Sequence, residues 1–351
     1  MEECVVKKQK RNVWLDLFRY LLAFMVVCIH FDKEIFGFNI KPLCRLAVPM
    51  FFMISGFFAS AENKENEIEK AKNGIKRTLK YYLIGVVIAI LYDVIPNITN
   101  GQKLNEIVME VFNKDMFFNF FVLNKPLSLT GAGVLWFLNA LIVVQTFHYI
   151  MLKFFNTKIY KYLIPVCVFL FMYPAYCTKL FSTFVIPVVY RRNWMFLGLP
   201  CFAIGFLLSK FLKRRRNDNL TYAIISLFAA LVFWGLSFLE FYCLVDLSYY
   251  ISSLFAAVFF LIFFDYLSKR QKISDKETKF SNFFYYWIGA GGAFYIYITH
   301  CLVGDLLKVC IKSSFLLNIL IFVCCFVIYE IFFLSVKMFK YLKSKKSTGK
   351  N

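Results

Sequence analysis

Long apolar runs, separated by short polar connections, make up almost the whole of this 351-residue chain. A helix needs about 20 predominantly apolar residues to cross the hydrocarbon core of a bilayer. On this basis the sequence predicts ten membrane-spanning helices. They cover residues 13–31, 43–60, 81–96, 134–152, 159–176, 194–212, 220–238, 246–267, 284–304 and 314–336. The predicted fold class is therefore an all-α integral membrane bundle, with one domain over 1–351 and a core over 13–336.

The polar connections predict the orientation of this bundle. Most of the 41 lysines and arginines lie in alternate connections, which include the start of the chain and the basic tail 337–351. Basic connections stay in the cytoplasm, so both termini are predicted to be cytoplasmic. Connection 62–80 is rich in Glu and Lys at helical spacing, which predicts a solvated or interfacial helix. Connection 96–133, the longest on the opposite side, mixes aromatic and charged positions as a membrane-surface segment does.

The composition excludes an ordinary soluble protein. The chain is 60% hydrophobic and 18% charged, with a mean hydropathy of +0.63, whereas soluble domains are about one half apolar and about one quarter charged. The net charge of +20 is divided among short clusters and is not gathered on one face, which argues against nucleic acid as a partner. The 11 cysteines are scattered and no CxxC pair occurs, so neither a disulfide framework nor a metal site is expected.

The first predicted helix carries three ionisable residues, Asp16, Arg19 and His30, in an otherwise apolar sequence. Such groups are costly inside a membrane and usually have a partner or a function there. The spacing of Arg19 and His30 places them on one helix face, about 16 Å apart along the axis, and Asp16 lies on the same side. This arrangement predicts a polar passage through the bilayer, with a cation at one depth and an imidazole at another.

The predicted orientation assigns a depth to the other polar residues of the spans. His30 and His300 fall in the outer halves of their helices, and Arg45 lies near the outer mouth. Arg19 lies near the cytoplasmic edge. Two histidines and an arginine from three helices are therefore predicted at one level. This pattern favours a reaction whose two substrates arrive from opposite sides of the membrane.

Each of these residues also has a purely structural interpretation. A membrane histidine such as His300 can bond a backbone carbonyl or a neighbouring helix. Arg45 can snorkel to the interface, and Trp136 can belong to an aromatic belt. Asp16 can be the salt-bridge partner that makes Arg19 tolerable in the membrane. These alternatives stay open at the level of the sequence.

Five short stretches of the chain share a recognisable pattern. They are Asp16-x-x-Arg19-x10-His30, Arg45-Leu-Ala-Val-Pro49-Met-Phe51-Phe52-Met-Ile-Ser55-Gly56-Phe57, Leu135-Trp136-Phe137-x-x-Ala-Leu141, Arg192-Asn193-Trp-Met-Phe-Leu-Gly198-Leu-Pro200-x-Phe202-x-x-Gly205 and Tyr297-Ile-Thr-His300. In content and order they resemble acyltransferase family 3. These are integral-membrane enzymes that move acyl groups, commonly acetyl, from cytoplasmic acyl-coenzyme A to sugars of cell-envelope polysaccharides. The first stretch alone is weakly specific, but joined to the second it is strongly so.

The resemblance implies roles for the matching residues. His30 would be the general base on the acceptor hydroxyl, with His300 as a second candidate or as a group that orients the acceptor. Arg19, beside Asp16, would hold the donor or neutralise developing charge. The acceptor side would be lined by Arg45, Trp136, Arg192 and Asn193.

The resemblance also implies the partners. Acyl-CoA, first of all acetyl-CoA, would be a co-substrate, and no bound cofactor is expected. The acceptor would be a polysaccharide or lipid-linked glycan, and the protein would lie in the lipid of the plasma membrane with many passes.

Two other functions fit parts of the sequence. A polysaccharide or lipid-linked sugar transporter, or an export component, would share the bundle and its polar interior but would need no acyl donor. A membrane scaffold or sensor would explain the spans but not Arg19 and His30 on one helix face. The sequence leaves open acetyl or succinyl as the acyl group, the identity of the acceptor sugar, and the roles of His148 and Glu330.

Overall fold

Helices make up most of the part of the chain that the computed structural model describes. It describes residues 12–31, 34–35, 37–99, 109, 116–121, 124, 130–155, 157–160, 162, 176, 192–214, 219–244, 249–270, 290–311 and 315–348. The α-helices are α1 (Val13–His30), α2 (Lys41–Cys44), α3 (Ala47–Ala59), α4 (Lys64–Thr99), α5 (Met116–Phe121), α6 (Trp136–Phe154), α7 (Leu199–Arg214), α8 (Leu220–Leu244), α9 (Ile251–Arg270), α10 (Ala290–Lys308) and α11 (Phe315–Thr348). Short 3₁₀ helices cover Thr130–Leu135 and Thr157–Ile159, and a π-helical turn covers Trp194–Gly198.

A small hairpin joins α1 to α2. Strands β1 (Glu34–Ile35) and β2 (Phe38–Asn39) pair antiparallel, with Glu34 opposite Asn39. Gly37 takes a φ of +79° in the connecting turn, a conformation that glycine adopts without steric cost. The hairpin reverses the chain, so α2 and α3 return toward the end from which α1 began.

Seven helical segments of the described chain are long and apolar enough to cross a membrane. They are Val13–His30, Lys41–Ala59, Gly133–Phe154, Trp194–Arg214, Leu220–Cys243, Ile251–Arg270 and Phe315–Val336. These coincide with seven of the ten predicted spans. Of the others, 81–96 lies within α4, 284–304 overlaps α10, and 159–176 falls almost wholly outside the described residues. The all-α multi-pass class is confirmed, while ten spans and cytoplasmic termini stay predictions.

Two helices continue past the boundaries that the sequence indicated. The surface helix predicted in 62–80 and the span predicted at 81–96 form one uninterrupted helix, α4, of 36 residues. At about 1.5 Å per residue it is about 54 Å long, more than the roughly 30 Å of a hydrocarbon core. Likewise, α11 has 34 residues and continues through most of the basic tail. Both helices therefore carry polar turns beyond the apolar layer.

The first helix lies in the middle of the bundle, in contact with α3, α9, α10 and α11. Its apolar side chains are largely buried, among them Leu15, Leu22 and Val27. Asn12 caps the first turn by accepting a hydrogen bond from the N–H of Leu15 at 3.1 Å. Because these helices pack around α1, Asp16 and Arg19 are kept from lipid, with exposures of 3% and 7%.

Helices α3 and α7 make a backbone-to-backbone contact through two glycines. A Cβ atom on Gly56 would collide with the carbonyl oxygen of Phe202, and one on Gly205 would collide with that of Met53. Gly56, in the Ser55-Gly56 pair, therefore allows the two helices to approach closely. The contact brings α7, with the π-helical turn that precedes it, against the helix that follows Arg45.

Candidate active site

A first polar cavity, cavity I, opens between α1, α3, α4, α6 and α7 and has a volume of about 450 Å³. Its polar lining includes Asp16, Arg19, Lys70, Arg77, Gln145 and His148. Asp16 and Arg19 are the two residues that the family resemblance placed on the donor side. The other four come from α4 and α6.

The guanidinium of Arg19 is held by two neighbours. Its Nη1 donates to Oδ1 of Asp16 at 2.6 Å, with side-chain exposures of 9% and 4%. Its Cζ also lies 4.8 Å from the ring centroid of Phe58, within the range of a cation–π interaction. The structural interpretation of Asp16, as the partner of Arg19, is therefore met. The pair still lines cavity I, so its charge is presented to whatever enters.

Other cations surround cavity I. The Lys70 ammonium donates to the carbonyl oxygen of Ser60 at 2.8 Å, and Lys213 donates to the same oxygen at 2.9 Å. Lys70 lies outside the predicted span of α4, and burial, followed by the nearby Lys213 charge, lowers the pKa of its side chain. Together with Arg19 and Arg77, Lys70 gives cavity I the positive character that phosphate oxygens favour.

His148 lies at the wall of cavity I, on α6, and is 1% exposed. Its Nδ1 is 2.8 Å from the hydroxyl of Tyr160, and its ring contacts Phe202 and Phe206 edge-on. Its Nε2 makes no hydrogen bond within the described part of the chain. The sequence left this residue unassigned, and the structure gives it both a hydrogen-bonded neighbour and a place beside the cavity.

A second polar cavity, cavity II, brings together four residues that the sequence predicted for the site. It has a volume of about 210 Å³ and lies at the end of α1 that holds His30. Its polar and aromatic lining includes His30, Arg45, Trp136, Arg192, Lys41, Tyr249 and Tyr297. His30 and Arg45 were expected, together with His300, at one level of the membrane, and Trp136 and Arg192 were expected on the acceptor side; these four residues share one cavity. Their roles in binding or catalysis stay predictions.

Local structure positions the cations of cavity II. Arg45 is at the junction of α2 and α3, and the indole N–H of Trp234 on α8 fixes α2 by donating to the carbonyl oxygen of Leu43 at 2.9 Å. Arg192 lies directly before the π-helical turn that leads into α7. Trp136 begins α6, and its carbonyl oxygen accepts a hydrogen bond from Asn124 at 2.9 Å. Four separate elements therefore converge on cavity II.

Asn193, also predicted on the acceptor side, has a structural contact. Its Oδ1 accepts a hydrogen bond from the N–H of Met195 at 2.7 Å and caps the π-helical turn Trp194–Gly198. It is 4% exposed. This cap sets the direction of the backbone at Arg192, so Asn193 supports the geometry of cavity II, and its contact with an acceptor stays a prediction.

His300 packs against His30 from the neighbouring helix α10. The ring centroids are 5.1 Å apart and inclined by 51°. The Nδ1 of His300 is 2.7 Å from the carbonyl oxygen of Tyr297, one turn earlier. Because a carbonyl can only accept, Nδ1 carries the hydrogen and the lone pair is on Nε2. The backbone bond anticipated for a membrane histidine is present, and it orients the ring beside His30.

An aromatic layer separates the two cavities. Their linings share no residue, so the single passage predicted from the sequence is divided in two. On α3, Val48 lines cavity II and Ser55 lines cavity I, and Phe51 lies one turn from each on the same face. Phe51 is 6% exposed, and its ring centroid is 5.7 Å from that of Phe137 on α6. A buried aromatic pair, Phe51 and Phe137, therefore lies between the α3 residues that line the two cavities.

Sequence reasoning missed several lining residues, and one of them had a signal. Tyr297 is three residues before His300 in a stretch that the sequence singled out, so both lie on one helix face. Its hydroxyl donates to the backbone carbonyl of Val134, which joins α10 to the turn before Trp136. Lys70 had no such signal, because connection 62–80 reads as a uniformly charged helix.

The fold and these two cavities define a multi-pass membrane protein with polar sites enclosed by helices. The chain matches the family model described as an acyltransferase domain, over residues 12–335. It therefore belongs to acyltransferase family 3, as the motifs indicated.

A weaker similarity links the chain to an amino-acid racemase of Enterococcus faecalis. The two are 28% identical over 220 residues, which cover 58% of this chain and 29% of that protein. The chain thus spans less than a third of that relative, and the similarity does not bear on the reaction. No solved structure matches the chain.

Proposed function

We propose that this acyltransferase moves an acyl group, first of all acetyl, from cytoplasmic acyl-CoA to a hydroxyl of a polysaccharide or lipid-linked sugar. The protein would lie in the plasma membrane with both termini in the cytoplasm. Cavity I would receive the donor and cavity II the acceptor. One observation carries the proposal: a single helix, α1, presents Arg19 to one cavity and His30 to the other.

His30 is the proposed general base. A sugar hydroxyl is a weak nucleophile near neutral pH, and imidazole, with an ordinary pKa of about 6.5, is suited to take its proton. In the proposed step, the hydroxyl proton passes to the imidazole while the oxygen attacks the thioester carbonyl. The new C–O bond forms, the C–S bond breaks, and the imidazolium returns the proton to the departing thiolate. His30 is exposed at the helix end, which leaves its ring accessible to an acceptor.

His300 is the proposed orienting group. Its Nδ1–H is bonded to the carbonyl oxygen of Tyr297, so Nε2 offers a lone pair close to the His30 ring. That lone pair can accept a hydrogen bond from the acceptor or from the His30 ring itself. A fixed tautomer in this position would favour one orientation of the pair over all others.

The charges of the two cavities support this assignment of donor and acceptor. Cavity I holds Arg19, Lys70 and Arg77, a set suited to the phosphates of coenzyme A. Cavity II holds Arg45 and Arg192 beside Trp136; arginine can bond sugar hydroxyls, and a tryptophan ring can pack on a pyranose face. Transfer requires the acyl end of the donor to pass the layer formed by Phe51 and Phe137.

Measuring the O-acyl content of envelope glycans in cells with and without the gene tests this function. We expect the ester-linked acyl groups of one glycan to disappear with the gene and to return with the unmodified chain. Membranes supplied with labelled acetyl-CoA should then transfer label to that glycan. If glycan export falls while its acylation per sugar is unchanged, the transporter interpretation replaces this one.

A further inference from the structure

Three side chains of metal-binding type meet where α1 and α10 lie side by side. His30, His300 and Cys301 each place a ligand atom within 4.8 Å of the other two. His300 and Cys301 are adjacent in the sequence on α10, and His30 lies far from them in the sequence, at the end of α1. Within the described residues, no other group of three His, Cys, Asp or Glu side chains comes this close.

One of these ligands is already oriented as metal-binding histidines usually are. His300 is fully buried, and its Nδ1–H is bonded to the carbonyl oxygen of Tyr297 at 2.7 Å. A metal-bound histidine typically donates its other ring N–H to such a group, which fixes its tautomer. The remaining nitrogen, Nε2, is buried and makes no hydrogen bond within the described chain. Buried polar atoms without a partner are uncommon in proteins and call for a reason.

The ligand set selects a class of metal. Two imidazoles and one thiolate are borderline to soft donors, which suit Zn²⁺ and disfavour Mg²⁺ or Ca²⁺. The ligand atoms now lie within 4.8 Å of one another. Bonds of about 2.0–2.3 Å to a tetrahedral ion would require distances between the ligand atoms that are about 1 Å shorter than this limit. His30 ends α1 and is exposed, so its side chain has room to make that adjustment. Cys301 would release its thiol proton to solvent on binding.

We propose that His30, His300 and Cys301 form a binding site for a zinc-class divalent ion, and that the bound ion inhibits the protein by occupying His30. Metal binding does not depend on the proposed function. The inhibition does, because it follows from the role of His30 as base. A fourth coordination position stays open for water, since the described residues supply three ligands.

Titration with Co²⁺ tests binding without any measurement of activity. We expect the purified full chain in detergent to bind one Co²⁺, with thiolate-to-cobalt charge-transfer absorption that Zn²⁺ abolishes. Losing an outer-shell partner of a metal typically costs about 10–100-fold in affinity, so Cys301→Ser, which removes a ligand, should cost at least about 100-fold. Cys310→Ser is the control, because Cys310 is exposed and outside the group. Identical titrations for Cys301→Ser and the unmodified chain would overturn the proposal.

Alkylation of the unmodified chain gives a test that needs no variant. Zn²⁺ should slow the reaction of Cys301 with a small alkylating reagent in membranes, and leave that of Cys310 unchanged. Equal rates at Cys301 with and without Zn²⁺ would contradict a metal site. Once acyl transfer is established, Zn²⁺ should lower its rate in the unmodified chain, and Cys301→Ser should need at least about 100-fold more Zn²⁺ for the same fractional loss. Binding without inhibition would retain the site and refute its regulatory role.

Discussion

The glycine contact between α3 and α7 gives a prediction whose size follows from the structure. In Gly56→Ala, the new methyl group would meet the carbonyl oxygen of Phe202 well inside van der Waals contact. The atom it meets is backbone, so no flexible side chain can move aside. Overpacking typically costs about 1–3 kcal/mol, and a rigid neighbour places this variant at the upper end, about 3 kcal/mol. Reversible unfolding in mixed detergent and denaturing surfactant measures this difference.

Two other glycines provide a graded control. In Gly74→Ala, the added Cβ would lie 3.3 Å from the Nε2 atom of Gln145, a side chain that can shift by a few tenths of an ångström. In Gly235→Ala, nothing lies within 4 Å of the added atom, and helix propensity alone favours alanine by up to about 1 kcal/mol. The expected order of stability is Gly235→Ala, then Gly74→Ala, then Gly56→Ala. An equal free energy of unfolding for Gly56→Ala and Gly235→Ala would refute the close contact.

Three further predictions concern the site. Asp16→Asn removes the carboxylate that balances the buried charge of Arg19 and should lower the free energy of unfolding by about 3–5 kcal/mol. Asp265→Asn, in a more exposed pair, should lower it by at most about 1 kcal/mol; equal losses in surfactant unfolding would be the contrary result. Arg192→Gln should raise the KM for the acceptor about tenfold or more with little change in kcat, because a hydrogen bond from a charged group contributes about 1.5–3 kcal/mol to binding. A loss confined to kcat would contradict a role of Arg192 in acceptor binding. Phe51→Ala should increase the hydrolysis of acetyl-CoA in the absence of acceptor severalfold, because water could then pass between Phe51 and Phe137. An assay of the free thiol of coenzyme A measures this rate, and an unchanged rate would mean that the aromatic layer is no barrier.

The meeting of residues in cavity II could be predicted because helical geometry converts sequence spacing into depth. Hydrophobic length located the spans, and charge along the connections oriented them. Once His30 and His300 had depths in two helices running the same way, a shared level was predicted, and the packing of α10 against α1 brings the two rings together. Arg45 and Arg192 were predicted beside them because both lie at the ends of spans with the same orientation.

The division of the passage could not be predicted in the same way. Spacing along α1 shows that Arg19 and His30 share a face, but the two residues line different cavities, and Phe51 and Phe137 from other helices pack between those cavities. Such packing depends on side-chain shape and helix separation, which periodicity does not encode. For the same reason, the sequence did not indicate a metal site at Cys301, since the proposed ligand set is drawn from α1 and α10 and has no spacing motif.

The continuity of α4 escaped prediction for a different reason. The change from charged to apolar positions near 80 resembles the boundary between a connection and a span. A helix needs no change of backbone geometry to cross from water into lipid, so polarity alone does not mark its end. The consequence for the site is large, because the polar half of α4 supplies Lys70 and Arg77 to cavity I.

The most direct test of the central claim is acyl transfer by the His30→Gln variant. Membranes with equal amounts of folded variant and unmodified protein, verified by fluorescence-detected gel filtration, would receive labelled acetyl-CoA and the acceptor glycan. A positioned general base contributes about 10²–10⁴-fold, so the account predicts a fall in kcat of that size while acetyl-CoA binding at cavity I persists. Near-normal turnover by His30→Gln would contradict it.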